Sequence, residues 1–257
     1  MTVPDVPPHN QRVDQVEIVV AHPERATLRV GGVFLKIDTD PGRTDIEVEA
    51  MALAPIPTPE ILWRNPPVLA LAAVRGAALG RLGQPSTASA AAWAAAGATV
   101  RQLHDAPLPR WSGRSPEDLA AELDRECGWI LANDVLPADL ITRNRQIAGE
   151  VLRPWRPAFI HGDLQIDHVF VVGDEVTGII DWSEAGRGDP HYDLAVLTVG
   201  HPQHLDDVLA GYGVDLDVDV IRAWWSVRGL LGIRWLVEHG YDPFAAGCEV
   251  DALRARM

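Results

Sequence analysis

Residues 159–197 read FIHGDLQIDHVFVVGDEVTGIIDWSEAGRGDPHYDLAVL, and the fold turns on how this stretch is understood. An apolar approach ends in His161-Gly162-Asp163, and His168 stands five residues beyond Asp163. VFVV-GDEV-TGII then has the β-rich runs and polar middle of a hairpin, and it delivers a second acid, Asp181, at the end of an apolar run. Two carboxylates and an imidazole are thereby held at the mouths of short strands. That layout suits a base placed beside a divalent metal.

Upstream, residues 1–12 read as a polar, Pro-rich tail. From Val16 the pattern is extended: VEIVV, TLRV, a Gly31-Gly32 turn and VFLKID, with Gly-Gly between β-rich runs as a hairpin signal. DTDPGRTD breaks the sheet, and IEVEAMALA predicts a short helix stopped by Pro55 and Pro57, with Glu47 and Glu49 in its first turns. EILW and VLALAAV predict two more strands around an RNPP turn. Residues 13–76 thus form a five-strand sheet with one helix. Residues 77–257 form a larger, mainly helical part carrying the hairpin. Its first helix has Ser86 or Thr87 as a candidate cap and buries Trp93, Val100 and Leu103. Ser115-Pro116-Glu117-Asp118 opens the next helix with a capping signature.

Composition narrows the partners. Of 257 residues, 36 are acidic and 22 basic, a net charge of −14, and residues 84–257 hold 26 of the acids but only 14 of the bases. Nucleic acid is excluded as a partner on these grounds, while the acidic C-terminal part is equally consistent with a cationic substrate and with acidity that only keeps the chain in solution. No apolar run is long enough to span a membrane and no signal peptide opens the chain, so a cytoplasmic protein is expected. Cys127 and Cys248 lie far apart and read as free thiols. Twenty-one of the basic residues are Arg; Lys36 is the only lysine. A lone compact ammonium in an Arg-rich chain marks a place where a planar fork does not fit.

Phosphoryl transfer from a nucleotide uses these parts. It needs a metal on the phosphates, a cation on those not transferred and a carboxylate for the hydroxyl proton. HGDLxxxH…IIDWxxAxxGDPxxDLA resembles the signature of the aminoglycoside phosphotransferase family, antibiotic and small-molecule kinases with a protein-kinase-like fold. The resemblance covers roughly residues 16–200. It implies an α+β, two-lobed kinase-like fold and an ATP- or GTP-dependent phosphotransferase. It implies Asp163 as catalytic base, His168 and Asp181 as ligands of Mg²⁺, and Lys36 on the α/β-phosphates with Glu47, or else Glu49, as its partner. Leu71 becomes the gatekeeper, with the backbones of Ala72 and Val74 facing the adenine. Asp189 and Asp193 become structural caps below the site.

Three features depart from the family pattern. His168 stands where Asn is usual, which admits Mn²⁺ beside Mg²⁺. The loop AHPERA has no glycine to cradle phosphates. The N-terminal part is short. The leading acceptor is an aminoglycoside-type cationic antibiotic, with Glu184, Asp206, Glu238 and Asp242 as candidate anchors. The alternatives are a metabolite kinase (amino sugar or amino alcohol), a macrolide kinase, or a catalytically weak nucleotide-binding module. Trp224 and Trp225 read as core rather than sugar platforms. Monomer and dimer both remain open.

Overall fold

A computed structural model describes residues 15–245 and 247–255; the expected tail, residues 1–12, lies outside them. The architecture is α+β, as expected. Among the described residues the chain divides into two compact units, one holding those up to Pro41 with Glu60–Ala73, the other Gly42–Pro59 with those from Val74 onward.

The first unit is an antiparallel sheet of five strands, β1 (Val16–Ala21), β2 (Arg25–Val30), β3 (Val33–Asp38), β4 (Ile61–Asn65) and β5 (Val68–Ala72), in the order β1-β2-β3-β5-β4. Gly31 turns the β2–β3 hairpin at φ 58°, a left-handed conformation that costs glycine nothing. Lys36 lies in β3 between Thr27 and Leu69 on the flanking strands.

The second unit begins at Gly42, inside helix α1 (Pro41–Leu53). It starts five residues earlier than expected, because Pro41 is compatible with a first helical position. Glu47 therefore falls in its second turn and Glu49 in its third. A three-stranded sheet joins β6 (Ala77–Ala78) to the hairpin β8 (Val169–Val172) and β9 (Glu175–Ile179). A two-stranded ribbon pairs β7 (Ala158–Ile160) with β10 (Gly186–Gly188), a strand that the sequence does not signal.

Helices make up the rest: α2 (Ala90–His104), α3 (Pro116–Ala132), α4 (Ala138–Gly149), α5 (Pro190–Thr198), α6 (Leu205–Tyr212), α7 (Val218–Glu238) and α8 (Glu249–Arg254). Neither Ser86 nor Thr87 caps α2. Ser89 does, accepting from the Ala92 N–H, while the Ser86 hydroxyl donates to the Leu79 carbonyl. The capping box at Ser115 forms as expected, with Asp118 answering from the third helical position. Trp93, Val100 and Leu103 of α2 are fully buried. Gly97 and Gly211 let α2 and α6 approach until a Cβ on either would strike the other helix's backbone. Helix α7 runs through the core against α3, α4, α5 and α8. Among the described residues no helix is long and apolar enough to cross a membrane.

Candidate active site

The ribbon β7–β10 carries the site. Ile160 pairs with Gly186, so the His161-Gly162-Asp163 turn leaves one strand beside the Asp181–Ala185 segment that leads into the other. One buried carboxylate holds the turn. Asp193, in the first turn of α5, accepts from the His161 N–H at 2.7 Å and the Gly162 N–H at 2.9 Å. His104 approaches the same carboxylate at 3.2 Å, with Tyr212 3.0 Å from its other nitrogen. This is the partnership for His104 that the sequence does not reveal. Burial alone opposes charge on Asp193, but the His104 hydrogen bond and charge, with help from His161, hold its pKa below the ordinary carboxylate range. Asp189 caps α5 through the His191 N–H and accepts from Trp224 Nε1 at 3.0 Å and from the His191 ring at 2.6 Å. Both acids thus take the structural place that the resemblance implies for them.

His161 ties the Asp163 and Asp181 segments together. Its Nδ1 accepts from the Asp163 N–H at 3.3 Å, and its Nε2–H donates to the carbonyl of Ile180, the residue before Asp181, at 3.0 Å. Burial lowers its pKa, so the ring is neutral, as this one-donor, one-acceptor pattern requires. Gly162 has φ 84°, and a Cβ there would strike the Glu184 backbone. Asp181 itself has φ 65°, a left-handed conformation that Asp tolerates better than most residues and that recurs at functional positions.

The Asp163 carboxylate is clamped. Gln165 Nε2 reaches its two oxygens at 2.8 and 2.9 Å, and Arg228 of α7 lies 3.6 Å from Oδ1. His168 donates from Nδ1 to the Asp163 carbonyl at 2.8 Å, which leaves Nε2 as the lone-pair nitrogen, 3.9 Å from Asp181 Oδ2. Burial opposes protonation of His168, but Asp163, Asp181 and Asp167 outweigh it and raise its pKa above the ordinary value. Next to it, the buried Oδ1 of Asp167 finds no hydrogen-bond partner among the described residues.

This set fits an open Mg²⁺ site. Such an ion takes one or two protein ligands and completes its shell with phosphates and water. Here a carboxylate and an imidazole lone pair face one another, and among the described residues no three acids, histidines or cysteines converge as a closed cage.

The remaining expected residues are placed as follows. Lys36 is half-buried in β3. Glu47 is buried whereas Glu49 is exposed. Leu71 is buried in β5 opposite Phe34, and the Ala72 N–H donates to the Glu60 carbonyl at 2.9 Å. Val74 lies over Gly178 of β9, where a Cβ would collide with its side chain. Glu184 stands at the site but is paired with Arg43 at 2.9 Å and Arg114 at 3.7 Å. Asp206 is exposed on α6, which packs on α2. Glu238 pairs with Arg234 at 2.9 Å, ten residues and therefore about 15 Å along α7 from Arg228. Asp242 caps the Phe244 N–H. These three acids are not assembled with Asp163. Trp224 and Trp225 are buried, as expected.

Beside Gly162 lies a cavity of about 50 Å³. Trp155, Tyr192 and Trp224 give it an aromatic wall, and Arg114, Glu184 and Asp189 also line it. Gln165, Arg228, Arg114 and Tyr192 are the site residues that sequence reasoning missed. Arg228 had a signal: it is the one charged residue in the apolar run AWWSVRGLLGI of 223–233.

The model of a phosphotransferase enzyme family matches residues 43–230. No curated protein matches the sequence closely enough to count as a relative. Solved structures do match. A choline/ethanolamine kinase family protein from Mesorhizobium loti is similar at 20% identity and a TM-score of 0.71, over 98% of this chain and 91% of that one. The macrolide 2'-phosphotransferase MphH from Brachybacterium faecium is similar at 18% identity and a TM-score of 0.64, over 94% and 89%. The aminoglycoside phosphotransferase APH(3'')-Id from Streptomyces rimosus is similar at 24% identity and a TM-score of 0.61, over 84% and 92%. At these identities the likeness shows the fold, which is that of the kinase-like phosphotransferases.

Proposed function

The chain belongs to this phosphotransferase enzyme family of small-molecule kinases, and from that membership we propose that it moves the γ-phosphoryl group of a nucleoside triphosphate onto a hydroxyl of a compact small molecule. The acceptor oxygen attacks the γ-phosphorus, the bond to the bridging oxygen breaks, and the nucleoside diphosphate leaves with the electron pair. Asp163 receives the hydroxyl proton. Gln165 orients its carboxylate, and His161 fixes its backbone relative to Asp181. Positioning of this kind is most of what phosphoryl transfer asks of a protein.

In this reading Lys36 holds the α/β-phosphates with Glu47 as its partner; burial of Glu47, and not of Glu49, supports the choice. Leu71 is the gatekeeper, and Ala72 and Val74 border the base of ATP or GTP through their backbones. His168 and Asp181 would hold Mg²⁺ or Mn²⁺, which supplies charge neutralisation on the phosphates when bound.

The observation that carries the proposal is the His161 bridge from the Asp163 N–H to the Ile180 carbonyl, which supports reading Asp163 as base and Asp181 as metal ligand acting from one frame. The aromatic-walled cavity beside Gly162 supports a compact acceptor. The experiment is diphosphate release from ATP or GTP with Mg²⁺ across aminoglycosides, macrolides, amino sugars and amino alcohols, for the wild type and Asp163→Asn. Acceptor-dependent release abolished by the substitution supports the proposal. Nucleotide binding without release for any acceptor overturns it in favour of a non-catalytic binding module.

A further inference from the structure

Resting on that reading, we propose that the acceptor carries a carboxylate, received by Arg114 on the wall of the aromatic cavity and by Arg228 beside Asp163. Both acids of the cavity wall are already committed. Glu184 is held by Arg43 and Arg114, and Asp189 by His191, Trp224 and the start of α5. A cationic acceptor would have to displace one of these contacts.

The arginines differ in what they have left to give. Arg187 is engaged, donating to the Pro109 and Arg110 carbonyls at 2.7 and 3.2 Å. Arg114 is exposed, and its ion pairs to Glu122 and Glu184 are 3.4 and 3.7 Å long. Arg228 reaches Asp163 at 3.6 Å, and its buried Nε has no hydrogen-bond partner. Charge-assisted hydrogen bonds run at about 2.7–2.9 Å, so neither fork is closed on its present partner. A planar carboxylate is the ligand a guanidinium fork matches.

Charge balance leads to the same class. When Asp163 takes the hydroxyl proton it becomes neutral, and Arg228 loses its nearest counter-charge. A carboxylate on the acceptor keeps the guanidinium paired through the transfer. The newly transferred phosphoryl group is the other oxyanion within reach of this argument, and the test separates the two.

The full chain is assayed with ATP or GTP and Mg²⁺ on matched acceptors: L-serine against ethanolamine, L-homoserine against 3-aminopropanol, and glycerate against ethylene glycol, with choline and kanamycin alongside. Diphosphate release and melting temperature are both read. The expected result is that a carboxylate member exceeds its decarboxylated partner by at least about tenfold in kcat/KM, and that Arg114→Gln and Arg228→Gln each erase most of that ratio through KM. Arg114 is exposed, so its variant keeps the test open if Arg228→Gln fails to fold.

Preference for the decarboxylated partners, choline or kanamycin overturns the inference and leaves the kinase reading standing. A loss in Arg228→Gln confined to kcat and equal for both members of a pair assigns the arginine to the phosphoryl group and also overturns it. So does a chain that binds the nucleotide but is neither active on nor stabilised by any of the carboxylates. Absence of both turnover and nucleotide stabilisation removes the kinase reading and the inference together.

Discussion

His168 presents its Nε2 to Asp181 Oδ2 at 3.9 Å, and it does so because its Nδ1 is tied to the Asp163 carbonyl. The tautomer is set by that second bond, as is usual for a metal-binding imidazole. An imidazole in place of an oxygen ligand favours Mn²⁺ over Mg²⁺ relative to an amide. His168→Asn should therefore lower the ratio of Mn²⁺- to Mg²⁺-supported activity. His168→Ala should weaken metal affinity by at least the roughly 10- to 100-fold that loss of an outer-shell partner costs. Metal titrations of activity check both, and an unchanged metal profile in both variants would remove His168 from the site.

Asp163 is clamped by Gln165 and faced by Arg228, which fixes its carboxylate; in the proposed reaction that carboxylate is the base. Asp163→Asn preserves the shape and removes the base. Turnover should fall about 10²- to 10⁴-fold, the usual share of a general base, while stabilisation by the nucleotide stays near the wild-type value. Gln165→Ala should leave the base in place but unoriented, with a smaller drop in kcat. Normal turnover in Asp163→Asn would sink the mechanism.

What the sequence disclosed and what it hid follow from where the interactions lie. Asp163, His168 and Asp181 flank one hairpin, so their chemistry is written in local spacing. The strands around Gly31-Gly32 and the box at Ser115 are local in the same sense. Arg228, Arg114 and Trp155 come to the site from three other places in the chain, and only packing brings them there. The cap of α2 was misassigned because Ser86, Thr87 and Ser89 compete within four positions; Ser89 also meets Asp174 across the fold, a contact that no local pattern encodes. The acidic acceptor anchors rested on net charge, which does not say where a carboxylate points. Asp206 is exposed, and Glu238 and Asp242 serve local contacts.

Gly162 joins strand β7 to Asp163 at φ 84°, with the Glu184 carbonyl where a side chain would go. Gly162→Ala adds about 1–2 kcal/mol of left-handed strain and forces the Asp181–Ala185 segment away from the turn. Both the melting temperature and kcat should fall. The activity loss should exceed the fraction unfolded, because the displaced segment carries Asp181. Activity that merely tracks the folded fraction would show that the turn's geometry is not critical.

Asp193 gives the fold its acid sensitivity. The buried carboxylate binds the His161 and Gly162 N–H groups and His104. Removing one partner of such a buried network costs about 3–5 kcal/mol, so Asp193→Ala should unfold at markedly lower urea and lose activity through the His161 turn. Its pKa is depressed in the folded chain. The unfolded chain therefore takes up its proton first as pH falls through the ordinary carboxylate value of about 3.9. The stabilisation is complete above that value and is lost as pH drops toward the folded one. Asp193→Asn, which has no such proton to gain, should be less stable than wild type at pH 7, and the gap should narrow below about pH 4. Urea titrations of both proteins from pH 7 downward measure the gap. A gap constant across that range would mean that Asp193 is not held as a depressed carboxylate, and that the His161 turn is anchored by shape rather than by charge.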